Sequence, residues 1–195
     1  MKTPKILTLL SGGIDSLVLS DLLLKEKKGT QVAIFVDYGH KAAAQEWRAV
    51  RAFVRGRMKI EKVSIRVGGA RLKSQLMTGY LKDRAFLPGR NLLLLLAAGW
   101  KACELKADFI AVGLRDNAEF PDSSEIFVRH FSNLSFMAFG RQLTVLAPLM
   151  HMTKADVVKL GRDLGTRLLI SYSCYMGKRK PCGRCRACED RKGLV

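Results

Sequence analysis

Residues 11–16, Ser-Gly-Gly-Ile-Asp-Ser, constrain this chain more than any other stretch. Before them lies the apolar run 6–10, short enough to be a buried strand. After them Leu17, Val18, Leu19, Leu22, Leu23 and Leu24 continue at helical spacing toward a stop at Gly29. A strand, a tight Ser/Gly turn and a helix start in direct succession make an anion site. Two glycines let backbone N–H groups come close to an oxyanion, the hydroxyls of Ser11 and Ser16 can donate, and the helix N-terminus adds partial positive charge. Asp15 either caps the helix or helps hold a phosphate-bound metal. The turn has no Gly-Lys-Ser/Thr ending, which excludes the Walker type of phosphate loop.

The rest of the chain repeats the alternation. Residues 31–36 read as a second buried strand, 42–55 as an amphipathic helix and 60–67 as a strand nearer a sheet edge. Residues 68–87 break the rhythm with a polar segment of no clear period, expected to pass over the active face. A helix over 92–105, a strand over 107–113, a helix over 125–139, a strand over 143–149 and a helix from a capping box at 153–156 through 164 follow. Strands alternating with helices at this spacing require crossovers between parallel strands. The expected fold is therefore α/β, an open parallel five-stranded sheet with helices on both faces, in one domain over 1–195. In such sheets ligands collect at the carboxyl ends of the strands, so the loops 11–16, 37–40 and 114–122 should share one face.

Composition narrows the setting. Hydrophobic residues make up 48% of the 195, with only five Pro, which argues against disorder. The longest apolar run, 92–98, is far too short to span a bilayer. The N-terminus has no signal-peptide layout, so a cytoplasmic protein is expected. Lys and Arg number 34 against 17 Asp and Glu, a net charge of +17, concentrated in 48–73 and 178–195. Such a field attracts ATP, RNA or an acidic partner, or is simply a solvated basic surface. No aromatic RNA-binding signature interleaves it, so nucleic acid is a candidate partner but not the favoured one.

Four of the five cysteines, Cys174, Cys182, Cys185 and Cys188, fall in a C-x7-C-x2-C-x2-C pattern. That spacing suits four thiolates around one ion, Zn²⁺ first and an iron–sulfur cluster as the metal alternative. Disulfides are the competing account, disfavoured in a reducing compartment. With all four positions filled by sulfur the metal would fasten the tail, 172–195, rather than do chemistry. The surrounding Lys178, Arg179, Lys180, Arg184 and Arg186 would then offset the formal −2 of the thiolate site.

The turn at 11–16 resembles the PP-loop, SGGxDS, of the N-type ATP pyrophosphatases. Together with Leu-Pro-Gly-Arg-Asn at 87–91 and the tail Cys174…Cys182-Gly183-Arg184-Cys185-Arg186-Ala187-Cys188 with Arg191, it resembles the 7-cyano-7-deazaguanine synthase family. Residues 37–40, 147–150 and 153–156 match stretches of that family as well. The resemblance implies an adenine nucleotide alpha hydrolase-like fold and a ligase acting on 7-carboxy-7-deazaguanine, ammonia and ATP. The acid becomes an adenylate, then an amide, and a second ATP drives dehydration to the nitrile, with Mg²⁺ required, Zn²⁺ structural and a homodimer as the assembly. It assigns catalysis to Ser11, Asp15, Ser16 and Arg90. ATP contacts fall to Ser11, Gly12, Gly13, Asp15, Ser16, Asp37, Tyr38, Gly39 and Gly113, and substrate contacts to Arg90, Asn91, Asp116, Phe120 and Asp122.

Two positions depart from the family pattern. Its D-Y-S-G-Y-P-D-C-R stretch corresponds here to 116–124, where Asp116, Phe120, Pro121 and Asp122 keep their character but Ser123 and Ser124 replace Cys and Arg. His40 stands where Gln is usual, either at the nucleotide or as a polar turn residue. The altered loop and the charge motivate an alternative enzyme that adenylates a tRNA group or joins the deazaguanine acid to another amine. A non-catalytic zinc-containing RNA-binding protein is the third reading, opposed by the intact Asp15 and loop serines.

Overall fold

The computed structural model describes residues 3–66, 74–78, 86–116 and 120–194. Five strands, β1 (Lys5–Leu9), β2 (Thr30–Asp37), β3 (Lys59–Ser64), β4 (Phe109–Ala111) and β5 (Thr144–Leu146), form one sheet in the order β3-β2-β1-β4-β5. Every pairing is parallel. The chain steps outward from β1 to β2 and β3, then returns to pair β4 on the other side of β1. The carboxyl ends of β1 and β4 therefore flank the point where the winding reverses, the crevice in which such sheets bind ligands.

Alternation along the strands sorts the core into two layers. Leu7, Leu9, Val32, Ile34, Val36, Ile110 and Val145 face α4 (Arg90–Leu105) and α5 (Glu125–Phe139). On the opposite face Ile6 and Ala111 meet α1 (Ile14–Lys25) and α6 (Lys154–Asp163), while Leu10, Ala33 and Phe35 meet α2 (Ala43–Val54). Parallel strands covered on both faces need apolar residues in near-continuous runs, as β1 and β2 have. Helices cover both faces, as the alternation predicts.

The differences from the sequence reading are local. β4 and β5 are three residues each rather than seven; beyond β4 the chain brings Gly113 against the start of α1. Within 68–87, expected to be polar and without period, one helical turn, α3 (Gln75–Thr78), carries a buried Leu76; residues 67–73 and 79–85 lie outside the described residues. The capping box of α6 is present, with Thr153 Oγ1 accepting from the Asp156 N–H at 3.2 Å and Asp156 Oδ2 from the Thr153 N–H at 3.0 Å. No helix among the described residues is long and apolar enough to cross a membrane.

Candidate active site

The turn after β1 is wired to itself and to its neighbours. Gly12 takes a left-handed φ of +78°, and a Cβ there would stand 2.8 Å from the backbone oxygen of Glu46 in α2. Only glycine meets both conditions at low cost. Ser16 Oγ donates to Gly13 O at 2.9 Å and accepts from the Ser11 N–H at 3.3 Å. Gly13 is the N-cap of α1 with no side-chain cap, so of the two roles open to Asp15 capping is not realised. Its carboxylate instead meets Lys154 Nζ at 2.6 Å and Arg115 Nε at 3.4 Å. Gly113 lies so close that its missing Cβ would sit 3.0 Å from the Asp15 carbonyl carbon.

A cavity of about 560 Å³ opens over this turn. Ser11, Gly13, Asp15, Ser16, Gly113, Arg115 and Lys154 line one end, and Tyr38, Arg90 and Asn91 line it further along. Tyr38 stacks on His40 with ring centroids 4.1 Å apart, and burial raises its phenol, with Arg90 beside it working against that rise. His40 is buried and not a turn-surface residue: its Nε2 lies 2.7 Å from Glu46 Oε2, and Glu46 lines the cavity. Asp37 turns the other way. Burial opposes its ionisation, but the Gly39 N–H, Arg66 and Lys62 together outweigh that and hold the carboxyl below its ordinary value.

The residues expected at the substrate are partly engaged with one another. Asp122 Oδ2 accepts from the Asn91 N–H at 2.8 Å, and Asn91 Nδ2 donates to Asp122 O at 2.9 Å and Ser123 Oγ at 3.1 Å. The Asp122 carboxylate thus caps α4 from another segment, which starts that helix at Arg90 rather than at 92. Ser124 caps α5 by accepting from the Phe127 N–H at 3.2 Å. Asp116 is exposed and its N–H donates to Met150 O at 2.8 Å. Phe120 lines the cavity, its ring 5.7 Å from Phe86 and under the Arg186 guanidinium at 6.0 Å.

Arg186 comes from the cysteine tail, which forms a second wall. The Tyr172 N–H donates to Gly12 O at 2.8 Å, and Tyr172, Ser173, Tyr175, Arg186, Asp190 and Arg191 face the cavity. Arg191 Nη1 donates to Ser171 Oγ at 2.7 Å, and desolvation lowers its guanidinium from the ordinary value. The sulfurs of Cys174, Cys182, Cys185 and Cys188 lie within 4.8 Å of one another, and none forms a disulfide. Sulfurs on a tetrahedral Zn²⁺ stand about 3.8 Å apart, as follows from a Zn–S bond of about 2.3 Å. The 3.9 Å between Cys182 and Cys188 fits that geometry. Burial resists ionisation of Cys182, but the N–H groups of Arg184 and Cys185 bring it down to about 7; burial and its neighbours push Cys188 up to about 12. The donor set could hold a metal.

The family model described as "Queuosine biosynthesis protein QueC" matches residues 5–194. The chain belongs to the QueC family. It is 31% identical over 211 residues to the 7-cyano-7-deazaguanine synthase 2 of Sulfurisphaera tokodaii, covering 98% of this chain but 45% of that protein. The 7-cyano-7-deazaguanine synthase of an Anaeromyxobacter species is 32% identical over 217 residues, covering 99% of this chain and 92% of that one. This QueC-family chain thus spans about half the length of some curated relatives and most of others. Among solved structures, the U34-tRNA thiolase NcsA of Methanococcus maripaludis with its [4Fe-4S] cluster superposes with a TM-score of 0.54 at 17% identity, covering 86% of this chain and 59% of that one. That likeness concerns the fold alone.

Around the PP-loop of this QueC-family chain the structure gathers Ser11, Gly13, Asp15, Ser16, Tyr38, Arg90, Asn91, Gly113 and Phe120 about one cavity. Gly12 supports the turn from behind, and Asp37, Gly39, Asp116 and Asp122 are not among the lining residues. Sequence reasoning missed Glu46, Arg115, Lys154, Tyr172, Ser173, Tyr175 and Asp190 as wall residues. Lys154 carried one signal: it follows the Thr153 N-cap, a helix N-terminus where a cation is electrostatically out of place.

Proposed function

We propose that this chain is an ATP-dependent carbon–nitrogen ligase that converts 7-carboxy-7-deazaguanine and ammonia to 7-cyano-7-deazaguanine in the cytoplasm. The carrying observation is a single cavity with the PP-loop at one end and Arg90 within it. A carboxylate becomes an electrophile only when one oxygen joins a leaving group. Its attack on the α-phosphorus of ATP forms the acyl adenylate and expels pyrophosphate into the Ser11–Ser16 turn, whose N–H groups and hydroxyls offset the developing charge. Neutral ammonia displaces AMP to give the amide. A second ATP adenylates the amide oxygen, and loss of AMP and a proton leaves the nitrile.

Arg90 holds the acid or the α-phosphate through its guanidinium fork. Phe120 and Tyr38 offer aromatic faces for planar rings. Ser11, Ser16 and Asp15 are the loop oxygens that would face a triphosphate-bound Mg²⁺, which would supply charge neutralisation. Cys174, Cys182, Cys185 and Cys188 would hold Zn²⁺ as a structural ion that fastens the tail wall.

Incubation with 7-carboxy-7-deazaguanine, ammonia and ATP should yield AMP, pyrophosphate and the nitrile mass, with Arg90→Ala reducing turnover about a hundredfold. ATP consumption that requires tRNA or another amine would favour the second reading. That reading gains weight from Ser123 and Ser124, which serve Asn91 and the α5 cap where the family pattern has Cys and Arg. No AMP formation under any of these conditions would reject both.

A further inference from the structure

Lys154 is the first residue of α6, beside a capping box that already satisfies the helix start. A cation there opposes the helix dipole, and the box has no use for it. Its Nζ instead crosses to Asp15 Oδ1 at 2.6 Å, joining residues 139 positions apart. Arg115, just beyond β4, reaches the other oxygen of the same carboxylate at 3.4 Å. The two cations arrive from the ends of neighbouring strands, whose exits are tied by Val112 N–H to Leu146 O at 2.9 Å and Asp116 N–H to Met150 O at 2.8 Å. All three side chains line the cavity and are about a quarter to a third exposed. Two cations against one carboxylate leave this end of the cavity with a surplus positive charge. A conflict with a local rule that the helix itself does not need marks a position shaped by a site.

We propose that Lys154 and Arg115 are the binding cations for the two terminal phosphates of the nucleoside triphosphate, and hence for the departing pyrophosphate. Asp15 restrains both until the phosphate oxygens replace its own. The backbone N–H groups at the start of α1 are neutral dipoles and take one side of the anion. The two side chains supply full charges on the other side, where charge accumulates as the α–β bridge breaks. Exchange of one carboxylate for a multiply charged phosphate keeps both cations paired throughout, so neither is left desolvated and alone. This inference rests on the proposed use of the turn for ATP and deepens it by naming the groups that discriminate the leaving group.

Titration calorimetry with inorganic pyrophosphate in EDTA, on the full chain, tests it without the acid, ammonia or turnover. Lys154→Ala and Arg115→Ala should each weaken binding by about tenfold or more, with melting curves showing that both fold. Lys154→Arg should recover most of the loss. Asp15→Asn frees both cations and should tighten metal-free binding several-fold. Wild-type affinity in both alanine variants overturns the proposal, as does weaker binding by Asp15→Asn or no binding by wild type and Asp15→Asn alike. Nitrile synthesis with the pyrophosphate pattern absent would sink this inference alone. The pattern without synthesis would sink the ligase reading and leave the cation pair standing.

Discussion

Two walls of the cavity are held by different forces. The PP-loop sits on the ends of β1 and β4, whose Leu7, Leu9 and Ile110 are buried, and glycines at 12 and 113 let α1, α2 and β4 close on it. Hydrophobic burial of the whole sheet stands behind its geometry. The tail wall has little such support. Its helix α7 (Arg186–Glu189) is a single turn, and its small apolar cluster is built around Cys174 and Cys185 themselves. One wall follows from packing of the sheet, whereas the other gathers around four cysteines that could hold an ion.

The largest effect should come from cutting the tail's anchor. Cys185→Ser, at a buried ligand position, should abolish metal binding and lower turnover by about two orders of magnitude, while far-UV circular dichroism stays near that of the parent. Retained metal with full activity would break the contrast between the walls. Gly12→Ala probes the loop wall. With φ at +78° and a backbone oxygen 2.8 Å from the new Cβ, it should cost about 2 kcal/mol. That corresponds to a melting temperature lower by about 4–8 °C for a chain of this size. An unchanged melt would show that α2 yields.

A smaller loss is expected between the walls. Asp122→Ala strips the acceptor from the Asn91 N–H and should destabilise by about 1–2 kcal/mol, read from denaturant midpoints, with a higher KM through the displaced Arg90. The smallest effect is a pH slope at Asp37, on the loop end's outer side. A carboxyl held below its ordinary value contributes stability above the unfolded value of 3.8, and that contribution is lost as pH falls through the lower folded one. Asp37→Asn should therefore be the less stable form at pH 7, with the gap closing below about pH 4. An unchanged gap across that range would remove Asp37 from the balance.

Much of the loop end was legible. Strand, Ser/Gly turn and helix start are neighbours in sequence, and the spacing of elements implied that the loops after β1, β2 and β4 meet. The α6 capping box was readable because its partners are three residues apart. The mate of Lys154 was not, since nothing local to 154 points to Asp15. Asp122 looked like a substrate contact because its helix-capping role for α4 joins segments 31 positions apart. His40 read either as a nucleotide contact or as a polar turn residue, and only the fold of α2 brings Glu46 to it.

Local patterns thus settled the parallel α/β fold, the Ser/Gly turn between strand and helix and the four-cysteine set, because each depends on chain periodicity or on residues within a few positions. Only the tertiary structure decided that the cysteine tail returns to Gly12 as the cavity's second wall and that Asp15 stands between two distant cations. Those contacts join segments separated by a hundred residues or more, and their partners are chosen by how packed layers bring strand ends together. No short-range pattern encodes that choice.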